Sequence, residues 1–322
     1  MIPAEKIDLN EYEYAGEGAN CASYNHKSNP SIMMKLYNAA APYEIIVSEL
    51  ELAHKVYALG IPTPKPGDFV TDGQGRYGIR FERILDKVSF SRAVGNEPER
   101  VEEYAREFAR MCKELHNTHL PADTFPNVKD VDLKLLEESP YFTPEEKSKV
   151  AAFIQNTPDA DTAIHGDLQF SNAIIANGQK YFIDLGDFAC GNPLFDLGMV
   201  LLCCCYDEED FVREVFHMEP ATSREFWEYF AKEYFGSVYV IAVPSSDGIY
   251  TEKLPEYLTG CTQKSQIDSF YASLDSSIKK IDAYNILKML SDNYIYYRND
   301  TKWTSYGAFC VYRTAVQKLG FR

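Results

Sequence analysis

Three oxygen-bearing side chains between residues 163 and 186 stand where loops are expected. Asp167 closes a His-Gly-Asp turn after the apolar pair Ala163 and Ile164, Asn172 follows five residues later, and Asp184 ends the apolar run of "YFIDLGD". Gly166 lets the backbone bend sharply before Asp167, and Gly186 gives a permissive turn after Asp184. An amide and a carboxylate supply hard oxygen atoms. With water or phosphate oxygens completing the shell, these are what Mg²⁺ prefers. A separate carboxylate beside them suits proton abstraction. If "AIIANGQKYFID" is a hairpin, Asn172 and Asp184 lie near its two open ends and can face one ion. His-Gly-Asp alone is an ordinary turn tripeptide. The full pattern of Asp, Asn five later and Asp-x-Gly twelve after that is far more specific.

A second set lies upstream. Lys35 in "IMMKLY" sits on a strand that is otherwise apolar, where an amine needs an anion. Glu49, on the following helix, is a candidate partner, with Glu44 and Glu51 as rivals; Glu51 falls on another face of the helix. A surface lysine and a solvated glutamate remain the plainer alternative. "AGEGANCASY" places Gly16 and Gly18 in a turn between two strands.

The elements that must hold these residues divide near residues 85 to 90. Before that point "YEYAGEG", "CASYNHK" and "SIMMKLYN" read as strands, and "APYEIIVSELELAHKVYALG" has helical apolar spacing ending at Gly60. A Pro-rich turn and a hairpin around Asp72-Gly73 follow. After it helices dominate. "EPERVEEYAREFARMCKELHNTHL" aligns Val101, Tyr104, Phe108, Met111 and Leu115 on one face, and "TPEEKSKVAAFIQN" has Thr143 as N-cap with Pro144 in the first turn. The segments from "PLFDLGMVLLCCCY" through "SQIDSFYASLDSSIKKIDAYNILKMLSDNYIYY" to "TSYGAFCVYRTAVQKL" also read as mostly helical. The fold class is therefore α+β, with residues 1–86 forming a small antiparallel sheet that carries one helix and residues 87–322 a larger, mainly helical lobe.

Composition excludes several alternatives. A formal net charge of −16 argues against a nucleic-acid or anionic-membrane surface, since both need a basic patch. It leaves room for a cationic small molecule, although an acidic balance also serves solubility alone. Eight cysteines form no CxxC pair, and "MIPAEKIDLN" is not a secretory leader, so a reducing cytoplasm with free thiols is expected. Zinc is not expected from these spacings. No apolar stretch is long enough to span a bilayer.

The loop motifs resemble those of kinase-like phosphotransferases, above all the branch with aminoglycoside phosphotransferases and choline kinases. The resemblance runs by motif from residue 12 to residue 200 and is only architectural beyond 205. It implies a bilobal, protein-kinase-like fold and transfer of the γ-phosphate of ATP or GTP to a small-molecule hydroxyl. Asp167 matches the catalytic aspartate, and Asn172 and Asp184 match the Mg²⁺ ligands. Lys35 matches the phosphate-binding lysine and Glu49 its helix partner. Gly16 and Gly18 match two glycines of the phosphate-covering loop, with Cys21 where protein kinases place a third. The backbone at Glu82 and Ile84, in "IRFERIL", would meet the purine edge. His165 would orient the loop, and Asp196 would brace it and cap the next helix. Protein kinases usually carry Arg where Gly166 stands, and no Ala-Pro-Glu segment is found, so a protein kinase is the weaker reading. A degenerate kinase used as a binding module is another alternative.

The acceptor is not named by these motifs. The acids Asp207, Glu208, Glu209, Asp210, Glu225, Glu228 and Glu233 would suit a cationic acceptor such as an aminoglycoside, amino sugar or amino alcohol, or else form solvated helix faces. Trp227, Trp303 and Tyr294, Tyr296 and Tyr297 could make a cation site or simply core. The loop-like stretch 243–266 is a candidate cover.

Overall fold

The computed structural model describes residues 2–18, 20–206, 208–255, 263–276, 278–298 and 302–319. They form two compact units, Met1–Tyr234 and Phe235–Arg322. The boundary expected at 86/87 lies inside the first unit, and the expected second lobe, 87–322, spans the division observed.

In the first unit, strands β1 (Glu5–Lys6), β2 (Tyr12–Glu17), β3 (Cys21–His26) and β4 (Ile32–Tyr37) precede helix α1 (Tyr43–Ala58), and β5 (Pro66–Thr71) and β6 (Tyr77–Glu82) follow it. They make a six-stranded sheet in the order β1-β5-β6-β4-β3-β2. Every pairing is antiparallel except β1 with β5, where Glu5 aligns with Val70. That parallel edge departs from the all-antiparallel expectation. Alternation along β4 sorts the side chains. Met34 and Leu36 join Ile7, Tyr12 and Val70 in one cluster, while Tyr37 joins Phe69, Ile79 and the α1 residues Ile46 and Leu50 in another. Lys35 shares the period of Tyr37, so the sheet directs it to the α1 side.

The rest of the first unit runs β7 (Val88–Ser89), α2 (Phe90–Asn96), α3 (Val101–His116), α4 (Val128–Glu138), α5 (Pro144–Asn156), β8 (Thr162–Ile164), β9 (Ala173–Ala176), β10 (Gln179–Phe182), β11 (Ala189–Gly191), α6 (Leu194–Cys204), α7 (Glu209–Phe216) and α8 (Pro220–Phe235). The expected faces and caps are present. Val101, Tyr104, Phe108, Met111 and Leu115 of α3 are buried, and Thr143 and Glu146 form a reciprocal capping box on α5. Phe108 lies 5.3 Å from Phe90 and 5.6 Å from Phe230, ring centre to ring centre. Phe170, between Asp167 and Asn172, is fully buried against Phe216 and Phe226. A large apolar side chain thus anchors a polar loop to the core.

The second unit contains β12 (Tyr239–Ile241), α9 (Ser246–Ile249), α10 (Gln263–Ser273), β13 (Lys279–Ile281), α11 (Ala283–Met289) and α12 (Ser305–Lys318). β12 and β13 pair in parallel, and Ile249, Leu287, Ile295, Tyr296 and Val311 form the core. Here the sequence expectation of mostly helical structure over 265–297 is corrected in part. Lys279–Ile281 is a strand, and residues 290–298 are not helical. Among the described residues no helix is long and apolar enough to cross a membrane.

Candidate active site

β9 and β10 form the expected hairpin, with Ala173 opposite Phe182, and the Ile183 N–H continues it by bonding to the Asn172 carbonyl at 2.9 Å. Asn172 is therefore next to the residue that precedes Asp184, at the open end. The Asn172 side-chain nitrogen donates to the Asp167 carbonyl at 3.0 Å and to its carboxylate at 2.9 Å. A carbonyl can only accept, so this atom is the amide nitrogen, and the amide oxygen remains an acceptor. Gln169 donates to both Asp167 carboxylate oxygens, at 3.2 and 3.0 Å.

The turn that presents Asp167 is fixed from behind. Gly166 has φ +87°, and a Cβ there would stand 2.0 Å from the Asp187 carbonyl oxygen. His165 is fully buried; its Nδ1 accepts the Asp167 N–H at 3.3 Å, which leaves Nε2 to donate to the Ile183 carbonyl at 3.0 Å. Asp196, also buried, accepts the N–H groups of His165 and Gly166 and contacts His116 Nε2 at 3.0 Å. It thus braces the loop. The capping part of its expected role is corrected, because the N-cap position of α6 is Pro193 and no side chain caps that helix.

Lys35 Nζ lies 2.6 Å from Asp184 Oδ1 and 3.9 Å from Glu49 Oε1. Glu49, rather than Glu44 or Glu51, is the α1 acid within 4 Å of Lys35 among the described residues. Burial opposes the Lys35 charge, yet Asp184, by charge and hydrogen bond, and Glu49 outweigh it and hold the ammonium above its usual pKa. Asp184 has left-handed backbone, φ 62° and ψ 52°, and its side chain is 57% exposed, open to a further partner. Tyr37 is buried beside Glu49, and its hydroxyl makes no hydrogen bond.

Lys35, Glu49, Asp167 and Asp184 all line one cleft of about 1370 Å³. Gly16 and Gly18 line it too, with Gly18 N–H bonding to the Cys21 carbonyl at 2.8 Å and a bulge between Tyr14 and Gly16. A smaller recess of about 240 Å³ opens beside Lys35 and is walled by Met33, Ala53, Phe81, Ile84, Ile183 and Leu185. Glu82 also lines this recess, but its N–H bonds to the Lys65 carbonyl at 2.8 Å. Ile84 makes no backbone hydrogen bond within the described residues.

The cleft also contains an acid that sequence reasoning missed. Burial, and then the charges of Asp167 and Asp184, push the Asp187 carboxyl above its usual pKa. The signal was the second acid of "DLGD", three residues after Asp184. The acidic wall expected in the helical part does not line this cleft. Glu209 and Asp210 pair with Arg213, Glu233 pairs with Arg106 and Arg110, and Asp207 lies outside the described residues. Trp227 stacks on Phe230 at the core, and Tyr296 is buried in the second unit. The stretch 243–266 contains α9 and the start of α10, and its residues 256–262 lie outside the described residues.

The donor chemistry suits magnesium. Among the described residues no three acids, histidines or cysteines gather tightly enough to hold a metal alone. Mg²⁺ typically takes one or two protein oxygens and completes its shell with phosphates and water. The exposed Asp184 carboxylate at the cleft is such an oxygen, and the Asn172 amide oxygen is of the same kind, although Asn172 itself does not line the cleft.

A sheet with a half-buried lysine, a helix glutamate behind it and an Asp-Asn-Asp loop system below defines a kinase-type phosphotransferase of α+β, protein-kinase-like fold. A family profile described as "Phosphotransferase enzyme family" (APH) matches residues 22–226, well over half of the chain, and the chain belongs to that family. A second profile, "DHHW protein", matches residues 230–322, a stretch without histidine that nearly coincides with the second unit. Among solved structures, aminoglycoside phosphotransferase APH(4)-Ia is similar at 12% identity and TM-score 0.50, covering 70% of this chain and 78% of that one. A thermostable mutant of the same enzyme, in a ternary complex with AMP-PNP and hygromycin B, matches with the same figures, 12%, 0.50, 70% and 78%. Aminoglycoside-3'-phosphotransferase of type VIII is similar at 18% identity and TM-score 0.49, covering 71% of this chain and 88% of that one. At these identities the likeness is one of fold. No curated protein sequence matches the chain.

Proposed function

We propose that this chain moves the γ-phosphoryl group of ATP or GTP to a hydroxyl of a small molecule, with Mg²⁺. The observation that carries the reading is that Lys35, Glu49, Asp167 and Asp184 line a single cleft. In this reading residues 1–86 hold the nucleotide and the part from residue 87 on supplies catalysis and the acceptor site. The apolar recess takes the base, with the open Ile84 N–H and the Glu82 backbone at its edge. Gly16 and Gly18 bring the β2–β3 turn over the phosphates. Lys35 contacts the α- and β-phosphates, and Glu49 steadies its ammonium.

Mg²⁺, held by Asn172 and Asp184, would neutralise charge on the phosphates. Asp167 accepts the proton of the acceptor hydroxyl as its oxygen attacks phosphorus. Its orientation is set by Gln169 and Asn172, so little reorganisation is left for the reactive event. Cys21, Cys112, Cys190, Cys203, Cys204 and Cys310 are in no disulfide, which agrees with the proposed cytoplasmic setting.

The test is nucleoside diphosphate release across a panel of alcohols, amino sugars, nucleosides and aminoglycosides. Asp167→Ala should lower acceptor-dependent release by about 10²–10⁴-fold and leave nucleotide affinity within a few-fold. Unchanged turnover in that variant overturns the assignment. Asp184→Ala should weaken nucleotide binding only when Mg²⁺ is present, as read by calorimetry.

A further inference from the structure

Arg83 and Lys87 both line the cleft, at the segment that leaves β6 and enters β7. Neither side chain has a carboxylate within 4 Å or a side-chain hydrogen bond among the described residues. Among the described residues Arg92, Arg224 and Arg313 are likewise in no ion pair, but none of them lines the cleft. Arg76, Arg80, Arg100, Arg106, Arg110 and Arg213 are each bound to one or more acids. Asp86 lies between the two cations on left-handed backbone, φ 51°, and pairs with neither.

From this geometry we infer that Arg83 and Lys87 form a second anion subsite of the cleft, distinct from Lys35, which takes a phosphate or carboxylate group. The segment is anchored at both ends. Arg83 N–H bonds to the Ser31 carbonyl at 2.8 Å, and Val88 pairs with Ile175 of β9. The two cations therefore sit on a fixed base, as preorganised binding requires. Lys87 also borders the smaller recess, so it stands where the two cavities meet. Lys87 is exposed, yet desolvation by the cleft walls and then the charges of Arg83 and Lys35 pull its ammonium below the usual pKa, and no acid offsets them. Lys35 has Asp184 and Glu49 to balance it; Arg83 and Lys87 have nothing comparable.

An anion would relieve this positive potential, and an arginine fork with a lysine suits an oxyanion. A chain of net charge −16 repels anions at long range, so a local cationic patch is what an anionic ligand needs here. The ligand group has two possible sources, a phosphate of the donor or an acidic group on the acceptor. Assigning the source rests on the nucleotide reading above; the subsite itself does not. An acceptor that uses this subsite would carry an acidic group.

Calorimetry with inorganic pyrophosphate on the full chain tests this. Lys35→Met should retain pyrophosphate binding, and adding Arg83→Gln and Lys87→Gln should weaken it at least about tenfold. Wild-type protein saturated with ADP then separates the sources. Pyrophosphate that still binds, and depends on the pair, assigns the subsite to the second ligand. ADP that loses about tenfold in affinity on Arg83→Gln with Lys87→Gln, and blocks pyrophosphate, assigns it to the donor. Pyrophosphate and ADP affinities both unchanged in that variant overturn the inference. If ADP fails to bind wild-type protein while pyrophosphate binds through the pair, the nucleotide reading falls and the subsite stands. If the double variant does not fold, the single variants serve: Arg83→Gln should weaken pyrophosphate binding, and Arg83→Lys, which keeps the charge but loses the fork, should weaken it less; binding unchanged in both Arg83→Gln and Lys87→Gln overturns the inference.

Discussion

Asp196, only 1% exposed, accepts the Gly166 backbone N–H at 2.9 Å and thereby ties α6 to the turn that carries Asp167. The same carboxylate accepts the His165 N–H at 2.7 Å and faces His116. Removing it leaves the buried His165 N–H and the part-buried Gly166 N–H without their partner. Asp196→Ala should therefore cost about 3 kcal/mol in urea unfolding, and turnover should fall with it. Asp196→Asn keeps one acceptor oxygen and should lose less on both measures. An alanine variant as stable as wild type would show that the loop does not depend on this brace.

Two glycines should respond in opposite directions to the same substitution. Gly166 combines φ +87° with a Cβ position 2.0 Å from the Asp187 carbonyl oxygen, so Gly166→Ala forces the turn to move. Turnover should drop by at least about 10²-fold, since small displacements of a positioned base have that effect. Gly198 is exposed in the middle of α6, and a Cβ there meets nothing within 4 Å. Gly198→Ala should raise stability by about 1 kcal/mol. Thermal melts and initial rates on both variants check the pair.

Tyr37 buries a hydroxyl that makes no hydrogen bond, and its phenol pKa is driven far up, first by burial and then by the Glu49 carboxylate. An unsatisfied buried hydroxyl gives the folded state nothing to lose. Tyr37→Phe should leave stability unchanged or raise it by up to about 1 kcal/mol, where a satisfied tyrosine would lose about as much. Denaturant midpoints decide it. A loss would mean that the hydroxyl gains a partner, such as Glu49, in solution.

The geometry of the candidate site was legible because it rests on short local patterns. Asp167, Asn172 and Asp184 occupy one turn and one hairpin, and Lys35 and Glu49 occupy a strand and the helix that follows it, so spacing alone brings each set close. The sheet of the first unit was readable for the same reason, strand by strand. What failed was non-local. β1 joins β5 across more than sixty residues, and β13 joins β12 across about forty, pairings that no window of sequence contains. Lys279–Ile281 therefore read as helix from its neighbours. The acids of the helical segments were ambiguous for another reason: only tertiary structure shows that Arg106 and Arg110 of α3 reach Glu233 of α8. Asp187 escaped notice because its character comes from burial and then from Asp167, which is twenty residues away in sequence.

Asp187 gives a pH dependence with a definite sign. Burial and the neighbouring carboxylates of Asp167 and Asp184 raise its folded pKa above the ordinary 3.8, and His165 opposes them only in part. As pH rises from below 3.8, the unfolded chain loses this proton first, so the folded state holds more protons through the window that opens there. Stability then falls with rising pH, and at neutral pH the ionised Asp187 is a destabilising group. Asp187→Asn should raise the urea midpoint at pH 7, and the gain should shrink as pH is lowered toward the ordinary carboxylate range. Mg²⁺ should shrink it as well, because a cation among these carboxylates relieves the same repulsion. A gain that stayed constant from neutral to acid pH would trace the effect to packing rather than charge. A loss at pH 7 would mean that the Asp187 charge is balanced by a partner in solution.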